Sequence, residues 1–183
     1  MHRRHLLAGA ILLMTATTSA KAADPDNTLV IELSSGGKVL IELLPDVAPK
    51  HVARVKELAK AGFYDGIVFH RVISGFMAQT GDPTGTGMGG SGKGNIMAEF
   101  NKKPFVRGTV GAARSQNPNS ADSQFFICFA DAQFLNGQYT VWGKVTSGME
   151  FVDKIKKGAP GSGAVAAPQD KMIKVQVAAD AKS

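Results

Sequence analysis

The 183-residue chain holds one cysteine, one tryptophan and two tyrosines. A lone cysteine cannot close an intrachain disulfide, which excludes a disulfide-stapled scaffold. Cys128 sits between Ile127 and Phe129, the setting of a small buried hydrophobe rather than a nucleophile. Histidine is also scarce. Of four, His2 and His5 fall in the first five residues, leaving His51 and His70. Neither has a second histidine, a cysteine pair or a carboxylate at ligand spacing, so no metal is expected. His51 is placed on the polar side of a helix, and His70 reads as a hydrogen-bonded structural residue in a strand. Ser123 lies outside any G-x-S-x-G pattern, so a hydrolase elbow is missing too.

No apolar run is long enough to span a membrane, which takes about 20 residues. The run Leu6 to Met14 follows a basic opening with Arg3 and Arg4 and precedes small residues ending Ala20-Lys21-Ala22. That order predicts a cleaved secretory signal peptide over residues 1–22, with Thr18-Ser19-Ala20 as a second cut site. A single domain is then expected over 23–183, with no membrane anchor after cleavage. Export across a bacterial inner membrane would place it in the periplasm; full secretion stays open. Arg3, Arg4 and Lys21 carry half of the formal charge of +6 and belong to this leader. The remainder shows no clustered basic stripe, so nucleic acid is not an expected partner.

Two glycine patterns invite a nucleotide reading and fail it. Gly85-Thr86-Gly87-Met88-Gly89-Gly90 matches G-x-G-x-x-G, but the following Ser91-Gly92-Lys93-Gly94 would not open a helix. Gly87 to Gly94 approaches a P-loop, with Gly94 where Ser or Thr should meet magnesium. The stretch reads as a mobile surface loop, and no cofactor is expected.

The rest is organised as short strands. Thr28–Leu33 and Val39–Leu44 flank a Gly-containing turn and predict a hairpin. Val47 to Ala61 has helical spacing, with Val52, Val55, Leu58 and Ala59 on one face and Asp46 as cap. Further strands are predicted at Ile67–Val72, Met77–Gly81, Ile96–Glu99, Thr109–Ala113, Phe125–Phe129, Thr140–Val145 and Met172–Val177. In the last, Met172, Lys174 and Gln176 share one face by alternation, and Ile173, Val175 and Val177 the other. A second helix fits Gly148–Lys156, and Gly158–Pro168 reads as a flexible loop. The fold class is mainly β: a closed eight-stranded antiparallel barrel capped by two α-helices.

Within this frame, Arg71 stands among aromatics, amides and aliphatics. It alternates with His70 along Phe69-His70-Arg71-Val72, and Phe76-Met77-Ala78-Gln79 alternates again after Ser74-Gly75. Further on, Ser123-Gln124-Phe125-Phe126 is read with Gln124 and Phe126 on opposite faces, which would demand a bulge if both line one site.

The runs FHRVISGFMAQTGDPTGTG, SQFFICFA and FLNGQYTVWGKV resemble the cyclophilin family of peptidyl-prolyl isomerases, from about Leu29 to Val177. The resemblance implies an isomerase that accelerates rotation about Xaa-Pro bonds, in a surface groove, without a cofactor. It implies Arg71 as the catalytic residue and a proline pocket of Phe76, Met77, Phe126 and Leu135. Gln79 and Gln124 become polar groove residues, and Ala113, Arg114 and Ser115 the segment that pairs with substrate backbone. Phe134 and Tyr139 complete the substrate-binding set. Phe134 stands where well-known eukaryotic members carry tryptophan, Tyr139 where they carry histidine, and Arg114-Ser115 where a smaller Ala-Asn pair is usual. These departures resemble bacterial exported members and imply weak cyclosporin binding, since the indole N–H is missing. The implied partners are proline-containing peptides and unfolded or newly exported proteins, met by a monomer. A non-catalytic proline-binding chaperone module using the same groove is the rival reading.

Overall fold

In a computed structural model, residues 23–181 are described; the leader expected at 1–22 lies outside them. Strands β1 (Thr28–Leu33) and β2 (Gly37–Leu43) form the predicted hairpin. Leu29, Ile31 and Leu33 are buried on alternate positions, facing Ile41, Val39 and Gly37 across the ladder. Alternation of apolar residues over one strand is what buries one sheet face. Gly37 has no side chain because the Phe151 ring occupies the space a Cβ would need.

Helix α1 spans Pro49–Lys60 and buries Val52, Val55, Leu58 and Ala59 as the spacing predicts. Its start is not capped by Asp46. The N-cap position is Ala48, which has no side-chain acceptor. Instead the carboxylate of Glu99 accepts the backbone N–H groups of Lys50 and His51, each at 3.0 Å. His51 is therefore not on a polar surface. It is only 2% exposed, and its Nδ1 lies 2.6 Å from Glu99 Oε2. Burial pushes the imidazole pKa below its usual value despite the carboxylate, so a neutral ring donating from Nδ1 fits the site. The predicted strand Ile96–Glu99 reduces to one bridge, Ile96 to Ala121, because its Glu99 end is drawn to the helix start.

The remaining strands are β3 (Arg71–Ile73), β4 (Met77–Thr80), β5 (Thr109–Ala112), β6 (Phe125–Cys128), β7 (Val141–Ser147) and β8 (Met172–Val177). Helix α2 is short, Met149–Asp153. All eight strands form one antiparallel curled sheet in the order β3-β4-β6-β5-β7-β2-β1-β8. The seam between β3 and β8 is not a ladder. One isolated bridge, Val68 to Lys171, joins residues just ahead of the two strands, while Arg71 of β3 bridges Ala164 in the Gly158–Pro168 segment rather than β8.

Met172 is not on the face opposite Val175 and Val177; all three are buried. The β1–β8 register shifts between Glu32 and Leu33, and the extra residue swings Ile173 outward to 46% exposure. A bulge resets alternation in this way. The Gly158–Pro168 segment is likewise tied down, with Val72 N–H donating to Gly163 O and Gly158 N–H to Val72 O.

The sheet has two apolar sides. Its interior holds the larger cluster, including Phe69, Phe125, Ile127 and Trp142. A second cluster of Met77, Phe105, Phe126, Cys128, Ala132, Leu135 and Val141 lies on the outer side of the same strands. Cys128 is fully buried, and burial pushes its thiol up to about 12, which leaves it inert as a nucleophile.

Candidate active site

The site is built on the outer face of β3, β4 and β6 by period-two alternation. In β3, Val72 points inward while Arg71 is half-buried outside. In β4, Ala78 joins the interior, whereas Met77 joins the outer cluster and Gln79 stays half-exposed. In β6, Phe125 and Ile127 face in, and Phe126 and Cys128 face out. Gln124 and Phe126 are two residues apart and share that outer side. No bulge is involved, and the β4–β6 ladder runs unshifted from Met77–Cys128 to Thr80–Phe125.

Ten of the twelve residues singled out above surround one cavity of about 270 Å³: Arg71, Phe76, Met77, Gln79, Ala113, Arg114, Phe126, Phe134, Leu135 and Tyr139. The other two, Ser115 and Gln124, line an adjoining cavity of about 670 Å³ that shares Gln79, Ala113 and Arg114 with the first.

The apolar wall is made of aromatic contacts. Phe126 stacks on Phe105 at 5.7 Å between centroids and meets Tyr139 edge-on at 5.9 Å. Phe134, on a 3₁₀ turn at Gln133–Leu135, lies 5.3 Å from Phe76 and is 64% exposed. Gly111 makes this wall possible. A Cβ there would sit 2.6 Å from Phe105 and 2.7 Å from Phe126, closer than packing allows.

The polar wall is a relay. Arg71 donates from Nε to Ser162 O at 3.2 Å and from Nη1 to Gln79 Oε1 at 3.4 Å. Gln79 Nε2 donates to Gln124 Oε1 at 2.9 Å. Gln124 Nε2 then donates to the carbonyls of Gly87 and Gly89, at 3.0 and 2.8 Å. The guanidinium is thus steered by neutral acceptors, leaving its charge free to act outward.

Sequence reasoning missed the glycine loop as part of this site. No helix follows its G-x-G-x-x-G pattern, as a nucleotide site would need, yet the loop walls the larger cavity and receives Gln124. Asp82, which is fully buried, holds the loop by accepting Thr84 N–H, Thr84 Oγ1–H, Thr86 N–H and Gly87 N–H. Burial would raise this carboxyl, but the hydrogen bonds from Thr84, Gly89 and Gly87 prevail and hold it at about 2. The Asp-x-Thr-x-Thr spacing at Asp82, Thr84 and Thr86 was the available signal, since such side chains bond backbone two residues on. His70, expected to be hydrogen-bonded, is buried with neither ring nitrogen partnered, and burial lowers its pKa. It packs under this loop, next to Gly87, where an unpaired neutral ring is the cheaper form.

Among the described residues, no group of three or more His, Cys, Asp and Glu could hold a metal, and no helix is long and apolar enough to cross a membrane.

Residues 28–177 match the family model described as "Cyclophilin type peptidyl-prolyl cis-trans isomerase/CLD". The chain is 53% identical, over 98% of both chains, to the "Probable peptidyl-prolyl cis-trans isomerase" of Brucella suis. It is 44% identical to peptidyl-prolyl cis-trans isomerase B of Bacillus subtilis, covering 69% of this chain and 88% of that one. Its fold is similar to the crystal structure of a Hirschia baltica cyclophilin, with TM-score 0.78, 27% identity, and 88% and 77% of the two chains covered. It is also similar to a Cryptosporidium parvum cyclophilin-type isomerase determined in the presence of the dipeptide Ala-Pro, with TM-score 0.75, 29% identity, and 82% and 98% covered. An apolar pocket edged by the Arg71 guanidinium agrees with these matches: the chain belongs to the cyclophilin family and is a peptidyl-prolyl cis-trans isomerase.

Proposed function

We infer that catalysis is carried by Arg71 acting on a proline ring held in the smaller cavity. The observation that supports this is a guanidinium at the rim of an apolar pocket, fixed only by a carbonyl and an amide. Resonance makes rotation about a peptide bond cost about 18–20 kcal/mol. Twisting the amide frees the prolyl nitrogen lone pair from conjugation. A donor aimed at that nitrogen stabilises the twisted state more than either planar one, which is what lowers the barrier. A guanidinium suits this role because its planar fork stays charged and holds direction. Met77, Phe126 and Leu135 anchor the ring while the preceding carbonyl swings. Gln79 and Gln124 hold Arg71 and the substrate backbone in place. A thousandfold acceleration needs only about 4 kcal/mol of such preference.

The deciding experiment is isomer exchange on an Ala-Pro peptide followed by NMR. Arg71→Ala is expected to lower kcat/KM by about a hundredfold, in the range seen when one transition-state donor is removed. Circular dichroism and Tm should stay near wild type, because Arg71 is on the outer face. Unchanged turnover would remove Arg71 from this role.

The same reading extends to newly exported proteins as substrates, supported by the basic, apolar, small-residue order of residues 1–22. Recovery of the intact leader on the cellular protein would contradict it. Weak cyclosporin binding belongs here too, because the Phe134 ring offers no N–H donor at the cavity rim. Inhibition at nanomolar concentration would overturn that expectation while leaving Arg71 untouched.

A further inference from the structure

Arg114 occupies an unusual place in the groove. It lines both cavities, on the divide between the apolar pocket and the glycine-loop chamber. Its guanidinium is held rigidly. Nε and Nη2 donate to Gln138 O at 3.2 and 2.8 Å, and Nη1 to Ser115 O and Gln116 O at 2.8 and 3.4 Å. The guanidinium carbon lies 4.3 Å from the centre of the Tyr139 ring. Every one of these partners is neutral. Four contacts also leave one of the five N–H donors of an arginine over.

The surrounding charge is one-sided. No carboxylate lines the smaller cavity. The larger one has a single acid, Asp122, which is already engaged by Arg54, Ser91 N–H and Ser91 Oγ–H. Among the described residues, neither Arg71 nor Arg114 takes part in an ion pair. The groove therefore presents two oriented cations and no free anion.

We propose that Arg114 makes this isomerase selective for Xaa-Pro segments carrying an acidic residue beside the proline. The proposal rests on the proline ring occupying the smaller cavity, as argued above. Successive Cα atoms are about 3.8 Å apart, so one or two residues leaving that pocket toward the larger cavity must pass Arg114. A Glu or Asp there meets a preset donor with no competing counter-ion to displace. A Lys there meets the like charge of Arg114. The ring of Tyr139 and the Gln138 carbonyl spare Arg114 the entropy a free side chain would lose on pairing.

The test is NMR exchange on matched peptides carrying Glu, Gln or Lys at the two positions before proline and the one after. The wild type is expected to turn over the Glu peptide about three- to tenfold faster than the Lys peptide, as kcat/KM, at the flank that faces Arg114. That ratio should fall toward one in 1 M salt, where screening acts within about 3 Å. Arg114→Gln should erase the ratio, and Arg114→Lys, which keeps the charge and loses the bracing, should retain part of it. A ratio near one in the wild type, or one that survives Arg114→Gln, overturns the proposal. The neutral Gln peptide separates this from the pocket assignment. If Arg71→Ala leaves its turnover intact, the placement of proline is wrong. If only the charge ratio fails, Arg114 alone is reassigned.

Discussion

The two faces of β6 do different work from adjacent residues. Phe125, pointing inward, meets Tyr64 and Trp142 edge-on at 5.7 and 5.4 Å within the larger core. Phe126, pointing outward, meets Phe105 and Tyr139 and forms the wall of an open cavity. Both are nearly inaccessible, at 1% and 5% exposure. The difference lies in what is missing on one side: Phe126 borders space that a ligand can fill. Burial is thus a poor guide to role here. The interior face maintains the sheet, and the outer face uses that rigidity to hold a pocket open.

That contrast is broken or upheld most sharply by truncating each ring. Phe125→Ala should lose about 3–5 kcal/mol of stability, the usual cost of a large cavity in a closed core, read from urea or thermal unfolding. Phe126→Ala should lose clearly less stability but cost more in kcat/KM than the loss of folded protein explains. Equal stability losses with equal residual activity per folded molecule would show that the two faces form one undivided core. Gly111 matters to this contrast, since its missing side chain lets Phe105 and Phe126 stack on the outer face at all.

The regular face was also the legible one. β1 and β8 carry the predicted boundaries, Thr28–Leu33 and Met172–Val177, because alternating apolar residues with Gly or polar breaks define strand ends well. The outer face was legible only through the resemblance. Alone, Met77, Phe126 and Leu135 are apolar residues, which usually pack in a core, and they do pack in one. What alternation could not supply was tertiary and long-range. Glu99 caps a helix nearly fifty residues away, which took His51 from the expected polar surface into a buried pair. A shift in the β1–β8 register put Met172 inside and Ile173 outside. The glycine loop read as mobile because its order comes from one buried carboxylate, Asp82, rather than from any periodic pattern.

Asp82 gives the finest test of the comparison, because the groove-side loop depends on ionisation and the apolar interior does not. The carboxyl titrates near 3.8 when unstructured and at about 2 here. A depressed acid contributes its full stabilisation above its unfolded value and loses it as pH falls through the folded one. Between about pH 4 and pH 2, amides 84–89 should lose hydrogen-exchange protection ahead of those in β1, β2 and β8. Asp82→Asn should reproduce that loosening at pH 7, because the amide can accept fewer of these bonds, and weaken activity modestly through the Gln124 contacts to Gly87 and Gly89. If the loop amides instead exchange in step with the interior strands, the loop belongs to the same cooperative unit as the sheet. The groove wall would then be as rigid as the core behind it, and the division drawn at β6 would not extend to the loop.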